Sequence, residues 1–320
     1  MGPQNLFAPG GPQAEQLLDL WWVMIVVCGA VFLAVLISFL LALWRAGRGT
    51  AATPPDLSSL ERPESGARVA VTAAIAVSAA GLVFLIVASF MTDRALARLA
   101  PADLQVDVTG HQWWWELQYN DPAEPAKNFT TANELHIPVG RTVLLRLRAD
   151  DVIHSFWVPN LAGKKDLIPG RNSTLALRAD RVGVYRGQCA EFCGLQHAKM
   201  AFLVVAEPPE KYEAWAAAQR KPAAEPADAQ QKRGRELFVT GRCGMCHAIQ
   251  GSAAGGHRAP DLTHLSSRNT IAAGLLPNTV GHLAGWILDP QGIKPGVNMP
   301  SNPMPPDDLY ALLAYLGSLK

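Results

Sequence analysis

Two long uncharged runs dominate the first third of the chain, and shorter alternating or helical patterns follow them. Residues 21–44 contain no charged side chain and as a helix would extend about 36 Å, enough to cross a bilayer. Residues 70–91 form a second uncharged run, rich in Ala, Val, Ile and Leu. The pair predicts a transmembrane helical hairpin over 21–91, preceded by a short external lead over 1–20. A buried hairpin of a soluble protein is the competing interpretation. Neither run reads as a cleaved signal peptide, because the first begins late and lacks a basic leading segment. Further on, residues 141–148 and 173–178 alternate apolar with polar positions as half-buried strands do, and 182–185 reads as another strand. A helix is expected near 210–220, then a Pro/Ala-rich, semi-rigid tether. Residues 232–240 carry an amphipathic helical pattern. Residues 307–317 place acidic side chains in a first turn and apolar ones at helical period. These patterns divide the chain into 1–20, 21–91, an all-β domain within 92–220, a linker over 221–231 and an all-α domain over 232–320.

Charge fixes the expected orientation. The first 20 residues hold no Lys or Arg, whereas the loop between the spans carries Arg45, Arg48, Arg62 and Arg68. Basic residues favour the cytoplasmic side, so both termini and the two later domains are expected outside, on the periplasmic face of a plasma membrane. Of the 320 residues 49% are hydrophobic, and a mean hydropathy of +0.09 is high for a soluble protein; the excess sits in the two runs, with lipid as the expected surroundings. Net charge is only +1, without a basic tract or acidic block, which argues against nucleic acid as a partner.

Between Gln188 and Met200 the chain reads Gln-Cys-Ala-Glu-Phe-Cys-Gly-Leu-Gln-His-Ala-Lys-Met. Thiolate, thioether and imidazole together select copper over hard cations. Cys189 and Cys193 can bridge two metal ions, each of which needs one imidazole. His197 supplies one and His154, from an earlier segment, is the candidate for the other. Met200 can add a weak axial sulfur, and the backbone carbonyl of Glu191 can reach the second metal. Such a thiolate-bridged pair spreads one electron over two metals and suits electron transfer. A short-loop disulfide, the face of a buried helix, or a mononuclear zinc site are the alternatives. Glycines 183, 187 and 194 argue against a long helix, and zinc leaves Met200 unexplained.

Cys243-Gly-Met-Cys246-His247 is the attachment pattern of a c-type haem, with two thioether links and His247 as proximal iron ligand. The motif follows an apparent helix, not a strand, and no second Cys-x-x-Cys completes a zinc ribbon. Met299 and Met304 are the candidates for a sixth ligand, and Met299, in Ile293-Lys-Pro-Gly-Val-Asn-Met-Pro300, is favoured. His257, His264 and His282 are the alternatives for a bis-His haem. Cys28, mid-span, reads as a small buried hydrophobe.

The copper segment resembles the dinuclear copper (CuA) loop of cytochrome c oxidase subunit II. Gly110-His-Gln-Trp-Trp-Trp115 resembles that family's aromatic signature, with Trp114 where Tyr is more usual. Asp151-Val-Ile-His154-Ser-Phe-Trp-Val-Pro159 resembles the segment donating the first imidazole, and Lys165-Asp-Leu-Ile-Pro-Gly-Arg171 resembles the stretch facing subunit I. The region 293–300 is similar to the axial-Met segment of class I cytochromes c. The resemblance implies a cupredoxin-like Greek-key barrel over 92–220 and a cytochrome c domain over 232–320. It also implies that Trp113 receives electrons on their way to copper, and that the Glu191 carboxylate shares Mg²⁺ with subunit I. The implied function is passage of electrons from an external donor, such as a cytochrome c or a respiratory complex, through haem c and copper to subunit I. There oxygen is reduced, coupled to proton pumping, in a bacterial plasma membrane with further oxidase subunits. The electron-input subunit of a copper-dependent nitric oxide reductase, or a non-catalytic copper and haem carrier, are the rivals. A quinol oxidase subunit lacks the copper ligands retained here. The chain departs from the family where its second span opens. There Glu61, Glu64 and then Gly66-Ala-Arg-Val-Ala-Val-Thr72 replace the usual Glu, Trp-Thr and Pro pattern.

Overall fold

The computed structural model describes residues 4–47, 49–50, 52–54, 63–97, 102 and 104–320. Arg48, Glu61 and Arg62, used above in reading orientation and family pattern, lie outside the described residues. Both apolar runs are helices longer than the uncharged stretches alone: α1 spans Pro12–Arg45 and α2 spans Ser65–Leu96. Their apolar side chains stand exposed on every side, as with Val26, Phe32 and Val77, which suits lipid and not a protein core. Cys28 is among the exposed residues, so the packed environment expected for it is not supplied by protein. Arg45 closes α1, and Arg68 in the first turn of α2 pairs with Glu64 at 3.8 Å.

The lead differs from expectation. The helix begins at Pro12, where proline's missing donor costs nothing, and residues 4–14 form a strap on the β domain. Asn160 Nδ2 donates to the carbonyls of Asn5 and Ala8 at 2.9 and 3.0 Å. Gly10 N donates to Asn160 O at 2.7 Å, and Asp180 N to Gly10 O at 2.8 Å.

The β domain is built from two five-stranded sheets. One has the order β3 (Phe129–Ala132), β2 (Trp114–Asn120), β1 (Leu104–His111), β5 (Val143–Ala149), β8 (Ser173–Leu177). The other runs β4 (Glu134–Pro138), β10 (Ala201–Glu207), β9 (Gly183–Cys189), β6 (His154–Trp157), β7 (Lys165–Leu167). Pairing is antiparallel except for β1 with β5 and β4 with β10. Strands β1, β2 and β5 bury alternate residues, and Val108, Trp115, Leu117, Leu145 and Leu147 meet Phe156, Phe202 and Val204 in one core. This is the cupredoxin-like sandwich, with its layers packed face to face. Strands β4 and β10 are buried almost throughout, because their outer faces are covered as well. Helix α3 (Pro209–Gln219) stacks Trp215 on His136 at 4.1 Å, and Ala201 N donates to Ala273 O of the following domain at 3.1 Å.

The all-α domain packs α4 (Ala229–Thr240) against α7 (Pro306–Ser318), with α5 (Val280–Leu288), the one-turn α6 (Pro290–Ile293) and a minimal ribbon of β11 (Thr270–Ile271) and β12 (Leu276–Pro277) beside them. Gly234 sits where α4 crosses α7, and a Cβ there would collide with the backbone of Ala311. Helix α4 opens three residues earlier than expected, because Asp228 caps it by accepting from Gln231 N at 2.8 Å. The linker is not free either. Ala223 N donates to Gln250 O at 2.9 Å, and Glu225 pairs with Arg235 at 2.6 Å.

Candidate metal and haem centres

Strands β6 and β9 pair Phe156 with Cys189, and that register sets His154 beside the end of β9. From Cys189 the chain turns through a compact loop and returns as β10. Cys189 N donates to Met200 O at 2.9 Å and Ala190 N to Ser155 O at 3.0 Å, closing the loop onto both strands. Gly194 takes φ +107°, a conformation that side chains rarely adopt, and a 3₁₀ turn over His197–Lys199 follows.

The predicted copper ligands converge. Nδ1 of His154 faces Cys189 Sγ at 3.9 Å. Cys193 Sγ faces His197 Nδ1 at 3.6 Å and Met200 Sδ at 3.8 Å. The Glu191 carbonyl lies 3.2 Å from Cys189 Sγ. Ligand atoms of His154, Cys189 and Cys193 all fall within 4.8 Å of one another. Each thiol thus has one imidazole beside it, the thioether adds a third soft sulfur, and the carbonyl adds a harder oxygen donor. Cys189 and Cys193 are free thiols, both buried, so the disulfide alternative fails. The thioether contact speaks against a zinc site of Cys and His alone.

Orientation and charge agree with metal binding. His154 Nε2 donates to Asp151 Oδ1 at 2.8 Å, leaving Nδ1 for a metal. Asp151 Oδ2 accepts from Gln112 N at 2.6 Å. Although burial opposes it, these hydrogen bonds hold the Asp151 carboxyl below its ordinary pKa. The imidazole of His154 is raised despite burial, by Cys189 and Asp151. A hydrogen bond from Cys193, working against burial, lowers Cys189 to about 4. The same bond, with burial, pushes Cys193 well up. Two thiols in contact resist double ionisation unless a cation joins them.

In the all-α domain Cys243–Met245 forms a 3₁₀ turn and His247 N donates to Cys243 O at 2.9 Å. Nδ1 of His247 donates to Pro260 O at 2.7 Å, and burial lowers its pKa. A neutral imidazole with Nε2 free is what a haem iron takes. Met299 is half-buried, and its carbonyl accepts from Gln291 Nε2 at 2.8 Å. Met304 packs against the domain core. His264 spends both ring nitrogens on carbonyls, Lys320 O at 2.7 Å and Lys221 O at 3.0 Å, so it is no iron ligand. His257 and His282 are exposed.

Trp113 touches both the copper loop and the segment leading to Met299. It is buried; Nε1 donates to Cys193 O at 2.9 Å, and its own carbonyl accepts from Lys294 Nζ at 2.8 Å. Trp114 stacks on His111 at 4.4 Å, and Trp115 belongs to the core. Glu191 is half-buried, and Lys165, Asp166 and Arg171 are exposed. Sequence reasoning passed over Asp151, although its place three residues before His154 was a usable signal. It also missed Lys294 and Glu134, for which no local signal exists.

The family profile described as cytochrome c oxidase subunit II, periplasmic domain, matches residues 123–207, and the profile for cytochrome c matches 231–320. Cytochrome c oxidase subunit 2 of Alkalihalophilus pseudofirmus is 35% identical over 334 aligned residues, covering 100% of this chain and 92% of the relative. The protein of the same name from Bacillus subtilis is 29% identical, with 75% and 71% covered. The periplasmic domain of cytochrome oxidase subunit II from Bradyrhizobium japonicum, a crystal structure, matches 38% of this chain and 96% of its own. That match has 28% identity and a TM-score of 0.36.

Proposed function

The chain belongs to the cytochrome c oxidase subunit II family, with a cytochrome c domain following its copper domain, and from that premise we propose that it conducts electrons from an external donor to subunit I of a haem–copper oxidase. His154, Cys189, Glu191 O, Cys193, His197 and Met200 would hold copper, and Cys243, Cys246, His247 and Met299 would hold haem c; both groups would supply the one-electron chemistry. The residues themselves hold, orient and shield. Asp151 fixes the His154 tautomer, Pro260 O fixes that of His247, and Trp113 bridges the copper loop and the segment leading to Met299. Oxygen reduction, with its coupled proton pumping, belongs to subunit I.

The observation that carries this reading is the convergence of two thiols, two imidazole Nδ1 atoms and a thioether, on a loop that also touches the haem domain. The Glu191 carbonyl turns inward to Cys189 while the residue as a whole is only half-buried, which supports a role for its carboxylate in holding Mg²⁺ against subunit I. The two apolar helices anchor both domains at the periplasmic face. The deciding experiment is gas consumption by the purified complex supplied with a reduced c-type cytochrome. Oxygen uptake is expected, and turnover of nitric oxide in its place would overturn the assignment.

A further inference from the structure

Two buried charges lie along the seam between the copper and haem domains. Glu134 opens β4 of the copper domain and is 2% exposed, yet all its carboxylate hydrogen bonds come from the other domain. Oε1 accepts from Thr270 N at 2.7 Å and Thr270 Oγ1 at 2.8 Å. Oε2 accepts from Asn269 N and Nδ2, both at 3.0 Å. Lys294 belongs to the haem domain and is 1% exposed. Its Nζ donates to Trp113 O of the copper domain at 2.8 Å, and to Ala272 O at 3.3 Å. Around it Lys199 Nζ donates to Ile293 O at 2.7 Å, Gln196 Nε2 to Pro295 O at 2.5 Å, and Asn298 Nδ2 to Gln112 O at 3.3 Å.

Carboxylates and ammonium groups are almost never fully buried unless paired, and a buried charge without partners is costly. Here the other domain provides every carboxylate partner of Glu134 and the nearer of the two carbonyls that accept from Lys294. A casual approach of two tethered domains would leave such groups in water. Burial also draws the Lys294 ammonium down to a pKa of about 7, in keeping with a seam that excludes solvent.

We infer that Glu134 and Lys294 latch the haem domain onto the copper domain in one fixed position, covering Trp113, so that an external redox protein reaches copper only by way of the haem domain. The latch stands on the hydrogen bonds above; only its consequence for electron input rests on the proposed function.

The test uses the full-length, fully metallated protein in its assembled complex. Amide hydrogen exchange of Asn269 and Thr270 is slow in the wild type. In Glu134→Ala it accelerates roughly tenfold or more, as expected when hydrogen bonds to a charged group are lost. Thr270→Val attacks the latch from the other side and accelerates the Asn269 amide. Unchanged exchange in both variants would overturn the latch. In stopped-flow mixing with a reduced soluble c-type cytochrome, the wild type reduces haem before copper at every donor concentration. Glu134→Ala gains a copper phase whose rate scales with donor concentration. Direct, donor-dependent copper reduction in the wild type would refute the closure of Trp113. Slow internal transfer with an intact latch would instead count against the proposed route.

Discussion

The copper centre and the haem centre are held by opposite means. At the proposed copper centre the predicted ligands lie on three pieces of chain that sheet register and loop hydrogen bonds bring together: His154 on β6, Cys189 at the end of β9, and the turn from Cys193 to Met200. At the proposed haem centre the two attachment cysteines and the proximal histidine fall within five consecutive residues, 243–247, and the attachment that motif predicts is covalent. The sandwich core is rich in fully buried side chains such as Trp115, Leu145 and Phe202, so a rigid frame sets the positions of the predicted copper ligands. The haem domain is small, and its macrocycle would itself be a large part of what its helices enclose. Removing a copper ligand should therefore disturb one site in an intact frame, whereas removing a haem ligand should change the domain around it.

The largest effect expected from that contrast is at the bridging thiols. Cys189→Ser or Cys193→Ser should abolish the mixed-valence dinuclear copper signal in electron paramagnetic resonance while haem c stays attached with its normal absorption. An unaltered dinuclear signal in either variant would refute the ligand assignment. Next is the sixth haem ligand. Met299→Ala should convert haem c to a high-spin form with a lower reduction potential, since thioether ligation raises it. Met304→Ala should leave spin state and potential in place and lower thermal stability, because Met304 packs on the domain core. The reverse spectral outcome would reassign the axial ligand.

Smaller again is the effect of the group behind His154. Asp151→Asn keeps the size of the side chain but weakens the hydrogen bond that selects the imidazole tautomer. Copper affinity should fall roughly 10–100-fold, the usual cost of losing such a partner, measured by competition with a chelator. An affinity equal to wild type would show that sheet packing alone orients the ring.

Much of this was readable in the chain because the chemistry is local. Cys189 to Met200 and Cys243 to His247 are short windows, and the alternation expected over 141–148 follows directly from the one buried face of β5. What could not be read depends on the seam. Strands β4 and β10 lose their alternation because the haem domain and α3 cover the face that a free sandwich would solvate. Glu134 and Lys294 look like surface charges, since residue type predicts exposure and only the partner domain makes burial tolerable. The strap over residues 4–14 is similar: its Gly- and Pro-rich sequence signals a loop, and partners far along the chain, among them Asn160, Ala176 and Asp180, specify where it lies.

The smallest effect falls where the two regions meet. Trp113 links them through two hydrogen bonds, its indole to Cys193 O and its carbonyl to Lys294, and Lys294 precedes Met299 by five residues. Trp113→Phe keeps an aromatic ring and the backbone contact to Lys294 but deletes the indole donor. The Cys193 carbonyl still accepts from Gln112 Nε2 at 2.9 Å, so the copper loop should hold its shape and its spectrum. If Trp113 carries electrons, transfer from haem c to copper should slow severalfold, timed after flash reduction at the haem and copper bands. If Trp113 only packs the seam, the rate should stay at the wild-type value while exchange of the Asn269 and Thr270 amides quickens. The two outcomes separate conduction from docking at one residue.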